Sequence, residues 1–337
     1  MALAVVVFLS FLIPSLPLYG LTADSDQPIT LVGKTMGTQY HIKFYGLRPV
    51  PIHQTIESIL EQINDQMSTY RDDSEISRLN QNEAHQWVEV SPAVLEVSQL
   101  AAQVHKMTNG AFEPTVGRLV NLWGFGPQYV PNKIPDSETL KSTRERIGLE
   151  HIDMRTNPPY LRKLVSGIDL DFSGIAKGYA VDRVARQLES WGLTRYMVEI
   201  GGEVRVGAPK PAGEPWMIGI ESPSNQRGQI VQALALQQQS LATSGDYRNY
   251  YEMDGKRYSH IIDPRTGYPI KHRTASVSVI TKTCAEADAL ATGFMVLGAE
   301  KGLAIAEKYD IAVLFLVREG ERFVEKASTA FTPFLAP

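Results

Sequence analysis

Asp288 and Thr292 stand four residues apart in TCAEADALATGF, residues 283–294. On a helix that spacing puts a carboxylate and a hydroxyl on one face, one turn apart. Such a pair can hold a cation or a polar ligand, or it can simply face solvent. Most of the segment is apolar or small and reads as a buried helix. Glu286 has a local explanation: with Thr283 three residues before it, the pair predicts a capping box that satisfies free N–H groups of the first turn. Asp288 and Thr292 have no such explanation. Other chemistry-bearing stretches recur along the chain. DLDFSGIAKGYA sets Asp169 and Asp171 ahead of Gly174 and a helix carrying Lys177. YSHIIDPRTGYP places His260 near a turn, and MSTYRDDSEI holds Tyr70 in a polar loop. Each also has a plain reading: His260 as a satisfied residue inside a strand, Tyr70 as a surface aromatic, Gly201 and Gly202 as a turn needing positive φ.

The elements that must position these residues are legible from periodicity. TQYHIKFY alternates as a strand, and apolar residues from Ile52 to Met67 recur at helical spacing. SPAVLEVSQLAAQVHKMTNG predicts a helix with Ser91 as N-cap, Pro92 at its first position and Gly110 as its stop. A second helix spans GIAKGYAVDRVARQLESWG, and strands flank Gly201 and Gly202. YYEMDGKRYSHIID predicts a hairpin turning at Asp254-Gly255. A strand over 276–280, the opening helix, a helix over 301–308 and the strand IAVLFLV complete the pattern. Helices mixed with hairpin-linked strands predict an α+β (mixed α/β) fold with a largely antiparallel sheet and packed helices.

Composition narrows the function. The net charge is −4 and no Lys/Arg run occurs, so a nucleic-acid role is not expected. The single cysteine, Cys284, excludes an intramolecular disulfide and a thiolate metal cluster; it reads as a small buried residue. There is no G-x-G-x-x-G after a strand, no Walker A sequence, no H-E-x-x-H and no G-x-S-x-G. The apolar run MALAVVVFLSFLIPSLPLYG predicts a signal peptide or N-terminal membrane anchor over residues 1–23, and hence export. No Cys follows it, so lipoprotein attachment is not expected.

GKTMGT, MSTYRDDSEI, TVGRLVNLWGFGP, YSHIIDPRTGYPI and EADALATGFMVLG, in this order and spacing, resemble the ApbE family of FAD:protein FMN transferases. The resemblance implies a single catalytic unit over residues 29–330, with FAD in a central cleft. It implies transfer of the FMN half of FAD to a Thr or Ser hydroxyl of another protein, with release of AMP. The same site would also serve FAD hydrolysis, or FAD binding without turnover. Implied FAD contacts are Met36, Tyr70, Ala111, Phe112, Glu113, Asp171, Lys177 and Ile262. Implied ligands of a divalent cation, usually Mg²⁺, are the Gly174 carbonyl, Asp288 and Thr292. That donor set suits a hard cation whose shell is completed by phosphate oxygens and water. Asp288 or His260 would serve as general base. Position 291 is Ala where many relatives carry a second Asp, so Ala291→Asp is expected to tighten metal binding. Implied acceptors carry a D-x-x-S/T-G/A-A-T/S-like motif, as in subunits of membrane redox pumps and flavin-dependent reductases. The implied location is the periplasmic face of the inner membrane.

Overall fold

The structure, a computed structural model, describes residues 27–49, 51–127, 130, 133–224, 228–246, 250–253 and 255–335. The expected leader and Asp254 of the expected hairpin turn lie outside the described residues. Among the described residues no helix is long and apolar enough to cross a membrane.

Eight strands form one antiparallel sheet in chain order: β1 (Ile29–Thr35), β2 (Thr38–Phe44), β3 (Tyr196–Ile200), β4 (Glu203–Val206), β5 (Ser240–Gly245), β6 (Thr274–Thr281), β7 (Ala312–Glu319) and β8 (Arg322–Ala327). Each pairs with the next. The β3–β4 turn is Gly201-Gly202, with φ of +64° and +106°. Two successive positive φ values match the right-handed twist of a two-residue hairpin and favour glycine at both places. The segment between β2 and β3 carries helices α1 (Ile52–Met67), α2 (Pro92–Met107) and α3 (Ala176–Ser190). Between β6 and β7 run α4 (Cys284–Leu297) and α5 (Ala299–Tyr309).

The helices cover one face of the sheet, where Tyr40, Ile42, Phe44, Val198, Val277 and Phe315 join their apolar sides. A hairpin of strands Trp216–Glu221 and Ile230–Leu236 covers part of the other face, burying Trp216, Ile218 and Leu234 against Val204, Val206 and Leu314. With both faces covered, β7 reads as a continuous apolar run rather than an alternating one. A smaller apolar cluster of Leu119, Trp123, Phe125, Tyr251 and Ile262 anchors the hairpin of strands Tyr250–Met253 and Lys256–Ser259.

Helix α2 begins as the sequence predicts: the Val94 N–H donates to Ser91 Oγ at 3.2 Å, and Pro92 occupies the first turn. Helix α4 does not. The Thr283 side chain makes no cap hydrogen bond, so the expected capping box is absent. The carboxylate of Asp182, from α3, takes its place. Its Oδ1 accepts from the Cys284 N–H and its Oδ2 from the Ala285 N–H, both at 3.0 Å. Arg205 Nη1 donates to the same carboxylate at 2.8 Å. A buried anion also complements the positive end of the helix dipole, so tertiary packing makes the local cap redundant. Gly178 permits the close approach, because a Cβ there would collide with the Cys284 carbonyl oxygen.

Asp182→Ala leaves two helix N–H groups and the Arg205 guanidinium without this partner. We expect a loss of about 3 kcal/mol or more in folding stability, read by denaturant unfolding. A loss below about 1 kcal/mol would show that α4 is capped by other means.

Candidate active site

A cavity of about 1010 Å³ opens where β2–β5 meet α3, α4 and the loop after α2. Every site residue expected from the sequence lines it except Met36. Met36 sits in the β1–β2 turn with φ +47°, half-buried and packed against the helix-side core. Its near neighbours Thr38 and Gln39 form part of the cavity wall.

On the helix side, α4 presents Asp288 and Thr292 to the cavity, and α3 presents Lys177. Asp288 is 3% exposed, so the solvent-facing reading fails. The Gly178 N–H donates to Asp288 Oδ2 at 3.0 Å, while Lys177 Nζ lies 3.8 Å from Oδ1. Thr292 Oγ1 is 3.3 Å from Ser244 Oγ on β5. Gly174 meets them at the start of α3: a Cβ on it would lie 3.0 Å from Thr292 Oγ1. Asp288, Thr292, Gly174 and Lys177 therefore form one polar cluster from two chain segments.

Glu203, at the start of β4, belongs to the same cluster. Lys177 Nζ lies 3.0 Å from its Oε1. Nothing in the sequence reading singled it out. The available signal was a carboxylate directly after a paired-glycine turn, in a strand otherwise flanked by valines. Burial raises the pKa of Asp288, against the opposing effects of the Lys177 ammonium and the Gly178 N–H. Burial raises Glu203 too, helped by Asp288 and opposed by Lys177. Burial works to depress Lys177, but the two carboxylates outweigh it and hold the lysine above its ordinary value. Two acidic groups share one fixed ammonium, which leaves the cluster receptive to a further cation.

Phe112 packs beside this cluster, since a Cβ on Gly174 would lie 3.3 Å from its ring. Ala111 and Phe112 are buried, and Glu113 is tied down: its Oε1 accepts from the Thr115 N–H at 3.0 Å and hydroxyl at 2.7 Å. His105 Nδ1 lies 3.2 Å from Glu113 Oε2. Asp171 Oδ1 accepts from the Ser173 N–H at 2.8 Å. Tyr70 is 69% exposed at the mouth, with a free ring face to offer a planar ligand. Ile262 is buried on the far side. His260 is not inside a strand; it lies one residue beyond Lys256–Ser259, where the chain bends, and packs edge-on to Phe125 at 6.4 Å between ring centroids.

Among the described residues no group of three or more His, Cys, Asp or Glu converges on a common metal position. Any cation here would therefore rest on a partial shell of hard oxygens: the Asp288 carboxylate, the Thr292 hydroxyl and the nearby Gly174 backbone. Mg²⁺ tolerates such a shell because it retains water and takes phosphate oxygens. The donor set fits, with the qualification that the cation would share Asp288 with Lys177.

Residues 36–315 match the ApbE family. The chain belongs to the ApbE family. It is 46% identical over 323 residues to the FAD:protein FMN transferase of Vibrio cholerae, covering 94% of this chain and 96% of that protein. It is 44% identical to the FAD:protein FMN transferase of Haemophilus influenzae, covering 90% of each. The solved flavin transferase ApbE from Vibrio cholerae superposes with a TM-score of 0.84 at 45% identity, covering 92% of this chain and 99% of that one. The α+β fold with its antiparallel sheet is thus the ApbE fold, as the motifs implied.

Ala291 departs from expectation. It is fully buried in the helix-side core and is not among the cavity-lining residues. Position 291 lies three residues on from Asp288, and α4 turns it into the core. Ala291→Asp should therefore lower the melting temperature rather than tighten metal binding, because it buries a carboxyl group among apolar side chains. Unchanged stability with tighter Mg²⁺ binding in a metal titration would overturn this placement.

Proposed function

We propose that the protein is an FAD:protein FMN transferase, moving the FMN half of FAD to a Thr or Ser hydroxyl of an acceptor protein. The observation that carries this reading is one cavity that joins an oxygen-rich, lysine-bearing cluster to an aromatic mouth, in a member of the ApbE family. Relatives with the transferase name support the same activity.

In this reaction the acceptor oxygen forms a bond to the FMN-side phosphorus. The bond from that phosphorus to the bridging oxygen breaks, and AMP leaves with the bridging oxygen and its electron pair. The acceptor proton passes to a base, which we assign to His260 at the cavity wall. Asp288 suits that role less well, since Gly178 already occupies one of its oxygens. Lys177 places a fixed positive charge beside the pyrophosphate, and preorganised charge of this kind is the main contribution a protein makes to phosphoryl transfer. Tyr70 stacks on a ring of FAD, and Asp171 accepts a hydrogen bond from its base or ribose. Ala111, Phe112 and Glu113 form the wall along which the nucleotide lies, with Glu113 immobilised by Thr115 and His105. Met36 would act from the β1–β2 turn, and Ile262 from the opposite side. Asp288, Thr292 and the Gly174 carbonyl would hold Mg²⁺ or a similar divalent cation, which when bound neutralises charge on pyrophosphate oxygens. Acceptors are proteins with a D-x-x-S/T-G/A-A-T/S-like motif, such as subunits of membrane redox pumps or flavin-dependent reductases. The apolar run at residues 1–20 supports export to the periplasmic face of the inner membrane.

Incubating the protein with FAD, Mg²⁺ and a polypeptide carrying that motif should leave flavin fluorescence on the polypeptide in a denaturing gel. FMN and AMP without labelled acceptor would identify an FAD pyrophosphatase instead. Stable FAD binding without either product would leave only a binding protein. Asp288→Ala should abolish Mg²⁺-dependent turnover while weakening FAD binding much less. Normal Mg²⁺-dependent labelling by that variant would remove Asp288 from the metal site.

A further inference from the structure

Strand β4 turns Val204 and Val206 toward the hairpin-covered face, so Glu203 and Arg205 point to the helix side. Arg205 is fully engaged there, donating to Asp182 at 2.8 Å and Glu189 at 3.1 Å. Glu203 is only half engaged. Its side chain is 4% exposed, its Oε1 faces Lys177, and its Oε2 has no hydrogen-bond partner among the described residues. The other buried side-chain atoms in that condition are His272 Nε2 and Ser276 Oγ, and neither residue lines the cavity. A buried carboxylate oxygen without a donor is costly, and a helix-covered strand has apolar alternatives at such a position.

We propose, resting on the flavin-transfer reading above, that Glu203 Oε2 is the hydroxyl-binding atom of this site: it accepts a hydrogen bond from a hydroxyl adjoining the pyrophosphate of FAD. The chemistry selects that class of partner. An ionised carboxylate only accepts, and so do phosphate oxygens, so the two repel; a hydroxyl donates to the ionised form and also accepts from the neutral acid that burial favours, so it suits Oε2 in either state. Its position is bounded as well. Lys177 Nζ lies 3.0 Å from Glu203 Oε1 and 3.8 Å from Asp288 Oδ1, so whatever meets Oε2 sits beside the group that meets the lysine and the cation ligands. In FAD the neutral donors closest to the phosphates are sugar-alcohol hydroxyls; the N–H donors of both ring systems are further along the molecule. The acceptor side-chain hydroxyl must also arrive beside the phosphorus. Both sources share one chemistry, and Glu203 would select for substrates that bring it.

Glu203→Gln keeps the size of the side chain but replaces one oxygen by an amide donor. FAD affinity is read by flavin fluorescence quenching without acceptor, and transfer by single-turnover labelling of the acceptor polypeptide. Each is measured with FAD and with an analogue lacking a ribityl hydroxyl. If the hydroxyl belongs to FAD, the variant binds FAD about tenfold or more weakly, and the deoxy analogue erases most of its difference from wild type. If it belongs to the acceptor, FAD affinity holds while transfer slows about tenfold or more. Glu203→Asp, which keeps an acceptor, should recover part of either loss. Affinity and transfer both equal to wild type would overturn the proposal. So would an affinity loss just as large with every deoxy analogue, because Glu203 would then act only by holding Lys177. Wild-type protein that labels no acceptor would instead count against the transferase reading, and the FAD-affinity arm would still judge Glu203.

Discussion

The site depends on one close contact, where α3 and α4 meet at Gly178 and Cys284. No side chain separates the two backbones there, and Asp182 closes the contact by capping α4 from α3. Its consequences are geometric. Lys177 immediately precedes Gly178, and Gly174 lies one turn earlier, so both arrive beside the first three turns of α4. Asp288 and Thr292 are the polar residues that those turns present to the cavity. The Gly178 N–H, at the same contact, is itself a ligand of Asp288. One helix–helix approach thereby fixes the carboxylate, the hydroxyl and the ammonium relative to one another.

Electrostatics explains why such a cluster must be built rather than merely assembled. Glu203 and Asp288 are each almost fully buried, and burying like charges side by side is unfavourable unless cations intervene. Lys177 supplies one intervening charge, at 3.0 Å from Glu203 and 3.8 Å from Asp288. One ammonium does not neutralise two ionised carboxylates, and burial raises the pKa of both, so a proton makes up the difference. A bound cation would take the place of that proton. The same reasoning separates this cluster from the Asp182–Arg205 pair a few residues away, where the carboxylate meets a guanidinium and two helix N–H groups and needs nothing more.

What was legible in the sequence followed from local rules. The strand TQYHIKFY, the α2 helix with its Ser91 cap, and the paired-glycine turn all rest on neighbours within a few residues, and each formed with nearly the expected bounds. Nearly all of the residues that the ApbE motifs implied line one cavity. The misses share a different cause. The cap of α4 comes from a residue about a hundred positions earlier, and the local Thr283–Glu286 signal gave no hint that tertiary packing would replace it. Ala291 is one residue from Thr292, yet helix rotation sends it into the core. Glu203 stood in plain view beside two glycines, but only its depth and its half-filled hydrogen-bonding capacity distinguish it from an ordinary strand residue.

The placement of the chemistry follows from the topology. In this sheet the short β1–β2, β3–β4 and β7–β8 turns share one rim, and regular hydrogen bonding stops there. At the β3–β4 turn the two glycines take up positive φ and carry no side chains, so cavity space is left on both sides of the rim. The next residue, Glu203, can then project from the first position of a rigid strand, while α3 begins opposite it and α4 passes behind. Strand, helix start and helix body all contribute polar groups from a fixed frame, and the more exposed loop contributes Tyr70 at the mouth. Rigid elements hold the groups that must meet phosphates to within tenths of an ångström, whereas a stacking ring tolerates a looser support. The division of labour between the buried cluster and the exposed aromatic is thus what the chemistry of a dinucleotide substrate requires of this fold.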